Sequence, residues 1–135
     1  MAITVAWDNE DKTVIRTTFD GKWTLEDFWN AVNEQAVLMD QVDYKVNFIS
    51  DFGNSGLLPS GALGHARRLL TTKQHRNTGP VSVVITANKF IQSFFNMFSK
   101  VYGGAASKHR IVFASSLNEG RTLLDELINK HPSSA

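Results

Sequence analysis

The 135-residue chain contains no cysteine, which excludes a disulfide framework, a cysteine nucleophile and a thiolate metal site. Proline is scarce. Only Pro59, Pro80 and Pro132 occur: Pro59 in a loop, Pro80 in a turn, and Pro132 where the last helix is expected to stop. No stretch approaches the roughly 18 apolar residues of a membrane span. The opening MAITVAWDNED lacks the basic stretch and apolar run of a secretory signal. Charge of one sign is missing as well: the formal net charge is +1, whereas a protein wrapped by nucleic acid is strongly basic. These absences predict a cytoplasmic protein with no transmembrane segment and no nucleic-acid partner.

What is present is a core. At 42% hydrophobic the chain is too apolar to stay disordered, and its length suits one domain spanning residues 1–135. The near-neutral total hides an asymmetry. Residues 1–60 hold ten acids against four bases, and residues 61–135 hold ten bases against three acids. The halves therefore carry net charges of −6 and +7, which an interleaved fold can mix in space.

Residue patterning gives the elements. Ile3, Val5 and Trp7 alternate, and Val14–Phe19 is β-branched and aromatic, so two strands flank the turn Asp8-Asn9-Glu10-Asp11. Thr24-Leu25-Glu26-Asp27 has a hydroxyl with an acid three residues on, the pattern that satisfies free amides at a helix start. Leu25, Phe28, Trp29, Val32, Ala36 and Met39 then form one apolar stripe. Tyr44–Ser50 reads as a mostly buried strand, Asp51–Pro59 as a loop, and Ser60–Leu70 as a helix. Thr78-Gly79-Pro80 reads as a turn before a continuous buried strand, Val81–Thr86. A helix from about Phe90 to Tyr102 stops at Gly103-Gly104, Arg110–Ala114 is the last strand, and Ser116–Glu119 is a second capping box opening the last helix. The order is β-β-α-β-α-β-α-β-α. It predicts a single α/β domain with a mainly parallel sheet of about five strands, an antiparallel N-terminal edge strand and four helices.

This order resembles the STAS domains, the group that includes the SpoIIAA-type anti-anti-sigma factors. Phe19-Asp20-Gly21 leading to Thr24-Leu25-Glu26-Asp27-Phe28 looks like the passage from their second strand into their first helix. Arg110-Ile111-Val112-Phe113-Ala114-Ser115-Ser116-Leu117-Asn118-Glu119 looks like their last strand and capped final helix. Their Asp-Ser-Ser-Gly-Leu motif matches by position Leu58-Pro59-Ser60-Gly61-Ala62-Leu63-Gly64, where Leu58 and Pro59 replace the usual acid and small hydroxyl residue. The resemblance implies a regulatory domain in which a serine at a helix start is phosphorylated by a partner kinase. Its charge of about −2 then rewrites a docking surface. By position the acceptor is Ser60, with Ser55 in Asn54-Ser55-Gly56-Leu57 as the alternative. Serine is also a preferred helix cap, so a purely structural role is open.

Catalytic patterns are wanting. There is no phosphate-binding glycine loop, His-Glu-x-x-His or Gly-x-Ser-x-Gly, and the four histidines show no helical metal spacing. A hydrolase with Ser55 or Ser60 as nucleophile beside His65 and Asp51 is a distant option, so the expectation is no enzyme, no metal and no cofactor. Two surfaces remain. His65, Arg67, Arg68, Lys73, His75 and Arg76 concentrate positive charge suited to an acidic partner or anionic ligand. The helix near Phe90–Tyr102 carries more aromatics than one sheet face needs, with Phe94, Met97 and Phe98 as contact candidates. The sequence thus predicts a regulatory contact domain using Ser60, Gly61, Phe94, Met97 and Phe98, with a protein partner or a second copy in a homodimer. The alternative is a binder of a small apolar or anionic ligand using the aromatics with Arg67, Arg68 or Arg76.

Overall fold

A computed structural model describes residues 2–62, 64, 65, 68, 75–102 and 110–129, with 97–102 and 129 described by backbone alone. Its strands are β1 (Ile3–Trp7), β2 (Val14–Gly21), β3 (Val46–Ser55), β4 (Thr78–Ile85) and β5 (Arg110–Ala114). Its helices are α1 (Leu25–Met39), α2 (Lys89–Tyr102) and α3 (Leu117–Asn129). The sheet runs in the order β1-β2-β3-β4-β5, with β1 antiparallel to β2 and every other pair parallel. The expected α/β sheet with its antiparallel edge strand is therefore present.

Sequential order has a geometric consequence. Right-handed crossovers that always step the same way leave their helices on one face of the sheet. Ala31 of α1 and Ile91 of α2 accordingly share one cluster with Ile3, Phe19, Trp23, Phe52 and Val84. The final helix makes no crossover and closes the opposite face, where Leu124 packs with Val14, Ile49, Val81, Val83, Ile85 and Ala114. Fully buried Ile15, Ile49, Val46 and Val83 lie on the inner strands, each worth about 2 kcal/mol of transfer free energy.

Three expectations change. Among the described residues there are three complete helices, not four; of the predicted Ser60–Leu70 helix, Ala62, Gly64, His65 and Arg68 are helical, while residues 63, 66, 67, 69 and 70 lie outside the described residues. The strand expected to end at Ser50 runs on to Ser55, through what reads as a loop, while Tyr44 lies outside it and 40% exposed. Phe52 explains the extension: it is buried and stacked on Phe19 at 4.2 Å, and Asn54 and Ser55 pair with Asp20 and Gly21 across a bulge. Thr78-Gly79-Pro80 is strand rather than turn. Pro80 sits in a β3–β4 register shift and precedes the first β5 partner, Val81, so its missing N–H is not needed. Gly79 is required there because a Cβ would stand 2.5 Å from the Val46 carbonyl oxygen.

Local chemistry sets the helix ends. The Thr24 hydroxyl accepts from the Asp27 N–H while the Asp27 carboxylate accepts from the Thr24 N–H, both at 3.0 Å. This reciprocal cap is worth about 1 kcal/mol. At the other end of α1, buried Asn77 donates to the carbonyls of Met39 and Val42 at 3.0 and 2.9 Å. For α3, Ser116 Oγ accepts from the Glu119 N–H at 3.1 Å, and the Glu119 carboxylate turns back to the Ser115 hydroxyl at 2.6 Å. Asp8 joins the hairpin to α3: only 6% of its side chain is exposed, and it accepts from Arg16 at 2.6 Å and from two nitrogens of Arg121 at 2.8 and 3.0 Å. Hydrogen bonding to Asp8 holds the Arg121 guanidinium above its ordinary value.

Candidate functional site

In open parallel sheets, ligands and partners meet the carboxyl ends of the strands, where backbone leaves the ladder. Here β2 ends at Gly21 and β3 at Ser55, and the Gly56 N–H donates to the Gly21 carbonyl at 2.7 Å. Trp23 folds over this junction. Its ring is 6% exposed and lies 5.0 Å from Phe19, and its indole N–H donates to Ser55 Oγ at 2.9 Å. Ser55 Oγ donates in turn to the Gly56 carbonyl at 3.0 Å.

Beside Trp23 opens a groove of about 680 Å³, lined by Lys22, Trp23, Thr24, Leu25, Leu57, Leu58, Pro59 and Ser60. Leu57 stands at its lip with 83% of its surface exposed. An apolar side chain held in water next to an apolar groove is available for contact. The far wall is a turn in which the Ala62 N–H donates to the Pro59 carbonyl at 3.1 Å and Gly61 takes φ +84°, a conformation that excludes a side chain without strain. The His65 N–H donates to the Gly61 carbonyl at 3.2 Å, so Gly61, not Ser60, occupies the helix-cap position. Ser60 lies in the turn before it and is exposed, and among the described residues its hydroxyl has no hydrogen-bond partner.

One α1 side chain grips the segment that follows. Trp29 donates its indole N–H to His65 Nδ1 at 2.7 Å, and the Arg68 guanidinium lies over the Trp29 ring at 5.3 Å. His65 is thus engaged as an acceptor at Nδ1. Asp51 pairs with Thr18 and Ile85, whose side is covered by α3, while α1 and His65 belong to the other face. The Ser60–His65–Asp51 grouping is not assembled. Among the described residues, no three His, Asp or Glu side chains gather as metal ligands, and no helix is long and apolar enough to cross a membrane.

The other candidates scatter. Arg68 sits on Trp29, whereas His75 and Arg76 lie at the opposite end of the sheet. There His75 Nε2 meets Asp40 at 2.7 Å, and the exposed Arg76 offers its carbonyl to Lys45. Arg67 and Lys73 lie outside the described residues. On α2, Ile91 is buried and Phe95 packs edge-on against Phe52 and Phe113, so part of the aromatic surplus belongs to the core. Phe94 is half-buried and stands edge-on to Phe95 at 5.4 Å, while Phe90 is 65% exposed. The side chains of Met97 and Phe98 lie outside the described residues.

Sequence reading missed Trp23, Leu57 and Leu58. A signal existed for Trp23: a large aromatic between the strand-ending Gly21 and the cap Thr24 lies where strand ends form sites. Compared with protein-family models, curated proteins and solved structures, the chain matches none.

Proposed function

We propose that this chain is a non-catalytic, STAS-like regulatory domain of the cytoplasm that works by protein–protein contact at the Trp23–Ser60 groove. One observation carries the reading: an exposed serine hydroxyl and the 83%-exposed Leu57 share the lip of one apolar groove at the carboxyl ends of the strands. An apolar partner side chain entering the groove gains burial against Trp23, Leu25 and Leu58. A phosphate on Ser60 brings about −2 charge to the same rim, desolvation of which opposes docking. Ser60 is the better acceptor of the two serines, because the Ser55 hydroxyl is already donor and acceptor beneath Trp23. The apolar lining also supports the second reading, a small apolar ligand in place of a protein side chain.

The test is co-purification from the source cells with wild-type, Ser60→Ala, Ser60→Glu and Leu57→Arg chains of equal thermal stability. The reading expects one defined partner held by wild type and Ser60→Ala and lost from the other two. A partner held equally by all four removes the groove from the interaction. Lipid found by native mass spectrometry in wild type but not in Leu57→Arg favours the second reading.

A further inference from the structure

The sheet has two unlike edges. β5 opens on the exposed, charged Arg110. β1 reads Ile-Thr-Val-Ala-Trp, with no charge and no proline, and it pairs with β2 in unbroken register over all five residues. Charge, proline and bulges are the devices that keep sheet edges from pairing, and β1 has none of them. The nearest carboxylate, Asp8, does not guard the edge either: it is turned inward and neutralised by Arg16 and Arg121. Among the described residues nothing pairs with the outer side of β1. That side presents the backbone donors and acceptors of an open strand.

The side chains of β1 sort by size. Ile3, Val5 and Trp7 lie on the face covered by α1, with Val5 and Trp7 only half-buried, while Thr4 and Ala6 are exposed on the other. We propose that β1 pairs antiparallel with β1 of a second copy, about a two-fold axis perpendicular to the sheet and midway between the two copies of Val5. In this register Ile3 stands opposite Trp7 of the partner subunit, Thr4 opposite Ala6 of the partner subunit, and Val5 opposite Val5 of the partner subunit. Large residues meet large ones on the helix face, small residues meet on the open face, and no like charges oppose. Aromatic and β-branched residues across antiparallel strands are among the pairs that stabilise a sheet. The arrangement keeps both α1 helices on one face and adds cover to the half-exposed Val5 and Trp7. A second copy is the occupant because β1 is its own complement in this register: an unrelated strand would have to supply the same alternation of size and neutrality.

Thr4 and Ala6 permit a test that spares the fold, since both side chains are exposed. Sedimentation equilibrium of the full chain over a concentration series is expected to show a monomer–dimer equilibrium. The double variant Thr4→Lys, Ala6→Lys sets two lysine pairs across the proposed seam and is expected to weaken association about tenfold. Thr4→Lys with Ala6→Glu sets opposite charges across the same seam and is expected to restore it, at the same monomer melting temperature. A wild type that stays monomeric at the highest attainable concentration overturns the proposal. So does a dimer that both double variants leave unchanged, or one that both weaken equally. Capture of a foreign peptide on β1 by a chain that never dimerises also overturns it, because the edge then serves another partner.

Discussion

The two ends of the sheet are built differently. At the amino ends of the parallel strands, polar side chains close the structure: Asn77 holds the carbonyls of Met39, at the end of α1, and of Val42, His75 meets Asp40, and the Tyr44 hydroxyl bonds the Asp11 and Lys12 carbonyls at 3.1 Å. Asn9 bonds Thr13 within the first hairpin, next to Asp8 with its two arginines. At the carboxyl ends, Leu57 faces water at an apolar groove, Phe90 is exposed in the helix that follows β4, and the Ser60 hydroxyl has no partner among the described residues. Buried polar groups with partners specify and hold a structure, whereas exposed apolar ones lower their free energy only by meeting something else. Stability is thus concentrated at one end and contact capacity at the other.

The contrast can be broken in order of expected effect. Asp8→Ala leaves Arg16 and Arg121 without their shared carboxylate and opens space under the hairpin; chemical denaturation is expected to show a loss of about 3 kcal/mol, with groove contacts intact. A loss near zero makes the network a surface ion pair and removes it from the stabilising end. Asn77→Ala strips the Met39 and Val42 carbonyls of their buried donor and should cost about 2 kcal/mol, read from the same curves. Leu57→Ser is expected to stay within about 0.5 kcal/mol of wild type, because the side chain is already in water. Its effect belongs in partner or ligand affinity, and a large change in unfolding free energy instead places Leu57 in the core and ends the contrast.

The legible parts of the sequence were the ones that physics decides locally. The Thr24–Asp27 cap needs only four residues, and it forms as spelled. The Ser116–Glu119 pair forms in part, with the reciprocal arm on Ser115 in place of the Ser116 backbone. Alternation in Ile3–Trp7 and the β-branched, mostly apolar run from Val81 likewise carry their own strand signal. The errors came where distant residues decide. Asp51–Ser55, with its glycine and polar residues, reads as loop until Phe19 offers Phe52 a ring to stack on and the end of β2 offers backbone partners. Gly79-Pro80 reads as a turn until the Val46 carbonyl comes too close for any side chain. Ser60 reads as a cap until the Pro59–Ala62 turn passes that position to Gly61.

By itself, then, the sequence determined the elements, their order and the parallel α/β class, because hydrophobic period, caps and crossover handedness are short-range or topological properties. Only the tertiary structure decided where strands end and which face α3 closes. It also made a site of Trp23, Leu57 and Ser60: Trp23 lies 34 and 37 positions before the other two, and nothing in local propensity brings the end of β2 against the turn after β3. Two parallel strands aligned by their buried faces do so.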